Sequence, residues 1–176
     1  MFDNFKTDIK RYIFLASGHD LVYIIFEQGL WAIAVYRFGH WCRGVKIPGI
    51  SFILKFIAFF LFKSIEIMTG ISLPASAEIG KGFYVGHFGS IILQSDVKIG
   101  EYCSIGPGVI IGMRGNGRKG APVIGDHVYI GVGAKVLGQV KIGNYVKIGA
   151  NAVVLCDVPD GMTAVGVPAK IISGKS

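Results

Sequence analysis

Hydrophobic positions in the second half of the chain recur neither every second residue nor every third or fourth, but every sixth. From Ile124 an aliphatic residue opens each unit (Ile124, Ile130, Val136, Ile142, Ile148, Val154), and a small or β-branched residue stands fifth (Val128, Ala134, Val140, Val146, Ala152, Val158). A free strand has period 2 and an amphipathic helix 3.6, so neither produces this spacing. A triangular solenoid with one hexapeptide per face does, because each first-position side chain then points into the prism. The pattern reads back through Ile99, Ile105 and Ile111 and, across a two-residue slip near Val97, through Ile79, Val85 and Ile91. About four coils stacked at ~4.8 Å predict a prism ~20 Å tall.

Residues 1–69 lack the six-residue period and are rich in aromatics. Breaks at Ser17-Gly18, Gly44 and Pro48-Gly49 predict helices at about 4–16, 20–42 and 50–68. The chain therefore divides into a helical module, 1–69, and a solenoid, 70–176, with an extended loop at 113–121 and a C-terminal tail. No acidic residue occurs between Gln28 and Ile65, whereas Arg37, Arg43, Lys46, Lys55 and Lys63 do. The last helix is too short and too charged to span a bilayer, which takes ~20 apolar residues, yet Phe59 and Phe62 intrude on its polar face. Such a helix needs another apolar medium: the headgroup boundary of an anionic membrane, or a neighbouring subunit.

Composition adds less. The 26 glycines suit a solenoid with tight corners. Three cysteines form no disulfide framework; Cys103 takes an inward fifth position, while Cys42 and Cys156 fall outside the register. Together with a charged N-terminal stretch unlike a signal peptide, this points to the cytoplasm, at the inner face of the cell membrane. The net charge of +7 is scattered and accompanies no nucleic-acid motif. No His, Cys or Asp pair stands at metal-ligand spacing.

From Tyr36 onward the chain carries Y-R-F-G-H-W (Tyr36–Trp41), T-G-I-S-L (Thr69–Leu73), A-E-I-G-K-G-F (Ala77–Phe83), G-H-F-G (Gly86–Gly89), I-G-V-G-A-K-V-L-G (Ile130–Gly138) and D-V-P-D-G through V-G-V-P-A-K (Asp157–Lys170). In these it resembles the serine acetyltransferase branch of the left-handed β-helix acyltransferases, most closely the colanic-acid and capsule O-acetyltransferases. The resemblance implies an all-β left-handed parallel β-helix behind a helical module, a homotrimer, and acetyl-CoA as acyl donor without a metal.

It also implies that His87 is the general base, a role suited to an imidazole of pKa near 6.5. Ser72 stands where the family has the acid that orients that histidine. Gly86 replaces an aspartate that helps hold serine, and Gly120 and Ala121 replace an Arg-His pair that serves the same acceptor. The pantetheine arm is expected along Gly112, Met113, Val132 and Ala150, with Lys170 at the CoA phosphates and Cys156 in place of a frequent lysine. Arg114, Arg118 and Lys119 make the loop an anion clamp or a solvated excursion. His19, His40 and His127 are expected in helix-break, packing and solvated-corner positions.

The loss of charge around the acceptor leads to the expectation of an O-acetyltransferase acting on a sugar hydroxyl of a surface polysaccharide or its lipid-linked precursor. The alternatives are a serine O-acetyltransferase and a non-catalytic solenoid scaffold, the latter distinguished by failure to bind CoA.

Overall fold

A computed structural model describes residues 2–15, 24–115 and 120–173. Helices α1 (Phe2–Leu15), α2 (Gln28–Gly44) and α3 (Ile50–Thr69) precede short strands β1 to β15. The strands build three sheets. One holds β1 (Ile71–Ser72), β4 (Ile91–Leu93), β7 (Ile110–Gly112), β10 (Lys135–Leu137) and β13 (Val153–Val154). The second holds β2 (Glu78–Ile79), β5 (Lys98–Ile99), β8 (Val123–Ile124) and β11 (Lys141–Ile142). The third runs β3 (Tyr84–Val85), β6 (Ser104–Ile105), β9 (Tyr129–Ile130), β12 (Lys147–Ile148), β14 (Thr163–Val165) and β15 (Lys170–Ile172). All pairings are parallel except β14 with β15, where the chain folds back on itself.

Apart from that last pair, successive strands do not pair; each pairs with its counterpart one coil away, which is how a six-residue period becomes a prism. The first-position side chains form columns inside it: Ile79, Ile99, Ile124 and Ile142 on one face, Val85, Ile105, Ile130 and Ile148 on the next, all buried. Cys103 lies in this core; burial pushes its thiol up to about 11.

The two-residue slip lies in β4 rather than near Val97. Ile91 pairs with Ile71, whereas Leu93 pairs with Ile111. Both are buried because residues i and i+2 of a strand share a face, so one strand serves both registers.

The second helix begins at Gln28, where a break at Glu27 (φ −68°, ψ 111°) precedes it. The cause is tertiary. A Cβ on Gly29 would stand 2.6 Å from the Val85 carbonyl oxygen, so the helix start is pressed directly onto the first coil. The start predicted at residue 20, with Ser17, Gly18 and His19, lies outside the described residues.

A buried ion pair fastens the helical module to the solenoid. Arg37 Nε donates to Asp8 Oδ2 at 2.9 Å, and its Nη atoms donate to the carbonyls of Ile79 and Gly80, both at 2.6 Å. Asp8 Oδ1 accepts the Phe83 backbone N–H at 2.9 Å. Helices α1 and α2 are thereby locked to each other and to one turn of the prism. In contrast α3 buries only Thr69 and leaves Phe52, Phe56, Phe59 and Phe60 exposed. Among the described residues, no helix is long and apolar enough to cross a membrane.

Candidate active site

Aligned strands place equivalent corners above one another. Val85, Ile105, Ile130 and Ile148 are in register, so the residues two positions beyond them, His87, Pro107, Val132 and Ala150, follow one edge of the prism. Corner-to-corner hydrogen bonds hold this edge: Gly108 N donates to Gly89 O at 3.0 Å, Gly133 N to Pro107 O at 2.8 Å, and Asn151 N to Val132 O at 2.8 Å. The coils approach closely, since a Cβ on Gly131 would meet the Ala150 nitrogen at 2.8 Å. Lys170 lies near the far end of the edge: it pairs with Val165, whose side chain packs over Gly149.

Gly112, Met113 and Arg114 lie on the next edge. Gly112 O accepts from Gly138 N at 2.8 Å, and Met113 N donates to the Gln94 side chain. The Arg114 stem runs beside Gly138. Arg118 and Lys119 fall outside the described residues. Between the two edges lies a face only two or three residues wide, about ~7–10 Å. Its outward column is Ser72, Ile92, Ile110, Lys135 and Val153. The sequence-derived residues thus flank one narrow, largely apolar strip, with His87 near one end and Lys170 near the other.

His87 is exposed and stands in a five-residue corner, Gly86-His87-Phe88-Gly89-Ser90. That corner is bonded to the helix end: Gly89 N donates to Thr69 O and Ile91 N to Gly70 O, both at 3.0 Å. Gly70 ends α3 in the left-handed region (φ 67°), which lets the chain turn at once into β1. Ser72 follows, paired with Ile92 across the sheet. Lys63, paired with Glu66 at 2.6 Å, and then Ser72 hold that carboxyl below the usual carboxylate range.

His40 and His127 serve structure. His40 Nδ1 bonds the Ala75 carbonyl at 3.0 Å, and His127 is stacked between Tyr102 and Tyr145, with centroids 5.3 and 4.8 Å away. A cleft of about 580 Å³ between α2, α3 and the first coil, lined by Tyr36, Arg43, Lys55, Phe59 and Leu73, excludes His87. His87 stands on a convex edge, where one chain supplies one wall. Among the described residues no group of three or more His, Cys, Asp or Glu is placed to hold a metal ion.

Stacked six-residue corners and an edge histidine define a hexapeptide-repeat acyltransferase, and residues 121–156 match the family of bacterial transferase hexapeptides (six repeats). The serine acetyltransferase of Helicobacter pylori strain 26695 is 37% identical over 151 residues, 85% of this chain and 84% of that protein. The serine acetyltransferase of Synechococcus elongatus is 32% identical over 89% of this chain, which spans 62% of that relative's length. A solved serine acetyltransferase complexed with CoA superposes with a TM-score of 0.82 at 32% identity, covering 97% of this chain and 68% of that one. The chain belongs to the serine acetyltransferase family, and its parallel sheets fit that family's left-handed β-helix.

These relatives overturn the expectation of a polysaccharide sugar as acceptor, and they lend no support to the closeness to colanic-acid and capsule enzymes. The matched proteins are serine acetyltransferases along nearly the whole chain.

Proposed function

We propose that this protein transfers the acetyl group of acetyl-CoA to the hydroxyl of L-serine. The observation that carries the reading is the similarity to serine acetyltransferases over nearly the whole chain; solved relatives include complexes with CoA and with serine. His87 takes the proton of the serine hydroxyl as its oxygen attacks the thioester carbonyl. The tetrahedral adduct collapses, the C–S bond breaks, and the imidazolium returns the proton to the departing CoA thiolate. The products are O-acetylserine and CoA, with no covalent enzyme intermediate. Gly112, Met113, Val132 and Ala150 flank the pantetheine arm, and Arg114 and Lys170 meet the phosphates.

The active unit is a homotrimer. An edge that offers one wall needs a second chain to make a cleft, and the exposed Ile92, Tyr129 and Val132 are apolar enough to be that contact. The aromatics of α3 are covered by neighbouring subunits in this reading; the relatives lend the membrane expectation no support. The test is a steady-state assay with acetyl-CoA and L-serine that follows free thiol. A KM for serine at or below the millimolar range with ordinary turnover is expected, and absence of serine-dependent thiol release refutes the assignment.

A further inference from the structure

The cleft between α2, α3 and the first coil takes no part in the chemistry at the His87 edge, yet it is built like a ligand site. The two helices form a hairpin that comes together at Gly39, where a Cβ would stand 3.2 Å from the Ala75 Cβ and 3.9 Å from that of Ala58. Because the helices run in opposite directions, Arg43 and Lys55 fall on the same side of that crossing, ~6 Å beyond Gly39 and ~5 Å before Ala58 along their axes. Val35, Tyr36 and Phe62 fall on the other side. The Tyr36 hydroxyl is engaged with Ala77 O at 2.9 Å and Ile79 N at 3.0 Å, which leaves only its ring for the wall. The result is an apolar trough ~12 Å long, the rise of α2 from Val35 to Arg43, with two cations at one end. No acidic residue lines it. Among the described residues Arg37, Lys63, Lys81 and Lys98 each have a carboxylate partner, whereas Arg43 and Lys55 have none.

We propose that this cleft binds a single-chain aliphatic carboxylate, a free fatty acid of medium length. Its volume of about 580 Å³ is that of a small-molecule site. The apolar walls take the chain out of water, and each methylene they cover adds to the affinity. At the mouth the planar Arg43 guanidinium matches the two oxygens of a carboxylate, and the Lys55 ammonium adds a second positive charge. The trough lies between one pair of helices and has room for one chain, which separates this ligand from a two-chain lipid. Phe52, Phe56 and Phe60 do not line the cleft, so subunit contacts made through them leave it open. The site is independent of the acceptor used at the His87 edge.

The experiment is calorimetric titration of the native full-length protein with sodium decanoate, kept below the concentration at which it forms micelles. Saturable binding of one decanoate per chain is expected. Octanoate should bind about tenfold more weakly, because two methylenes are lost from the trough. Decanol, which has the chain without the charge, should also bind at least tenfold more weakly. Arg43→Met keeps the stem of the side chain and should weaken decanoate about tenfold while leaving decanol unchanged. Ala58→Met places a longer side chain on the floor of the trough and should abolish binding of both. Absence of saturable binding, the result expected if a neighbouring subunit fills the cleft, overturns the proposal. Equal affinity for decanoate and decanol also overturns it, as does an undiminished decanoate affinity in a folded Arg43→Met, Lys55→Met double variant. Uptake only above the micelle concentration overturns it as well, since that is surfactant adsorbed on the aromatic face of α3.

Discussion

Removing the Asp8 carboxylate tests how the helical module is held. Asp8→Ala leaves Arg37, whose side chain is 5% exposed, with a buried charge and only the Ile79 and Gly80 carbonyls as partners. It also orphans the Phe83 N–H. Breaking a buried pair from one side costs about 3–5 kcal/mol, because the surviving charge stays desolvated. At about 2–4 °C per kcal/mol for a chain of this size, the Tm should fall by roughly 6–20 °C. Scanning calorimetry at neutral pH measures it directly. The double variant Asp8→Leu, Arg37→Met removes both charges and should recover much of the loss, since well-packed apolar replacements of buried pairs are often neutral. A folded Asp8→Ala protein melting within about 2 °C of the parent would refute the reasoning, and so would a double variant less stable than the single one.

His87→Asn should stay folded and bind CoA while turnover falls by ~10²–10⁴-fold; calorimetric CoA titration beside the thiol assay checks both. Gly131→Ala should cost about 1–3 kcal/mol in urea unfolding and weaken CoA binding, because the new Cβ would meet the Ala150 backbone nitrogen at 2.8 Å. Stability should decline with alkaline pH from about 9 to about 11. The unfolded Cys103 thiol ionises from its ordinary value of 9.0 while the folded one holds its proton to about 11. Urea midpoints across that window, compared with Cys103→Ala, read out the effect, and the variant should show a shallower decline.

The solenoid was legible because its code is local and repeated. A first-position residue such as Ile130 or Ile148 must face inward whatever else the chain does, and stacking repeats that condition coil after coil. The stacking of Val132 and Ala150, 18 residues apart, followed from the same arithmetic, whereas the place of His87 on that edge came from strand pairing. The slip did not, because Ile91 and Leu93 satisfy two registers equally and only strand pairing chooses between them. The break at Glu27 arises from the approach of Gly29 to Val85, across 56 residues of sequence. The ion pair of Asp8 with Arg37 likewise joins elements that no periodicity relates. The charge at the acceptor end shows the limit most clearly. Position by position the acids are gone, and a sugar acceptor followed from that count. That count leaves out partners the fold brings from elsewhere, as Asp8 is brought to Arg37 across 29 residues, because electrostatics depends on distance through space, which the order of residues along the chain does not record.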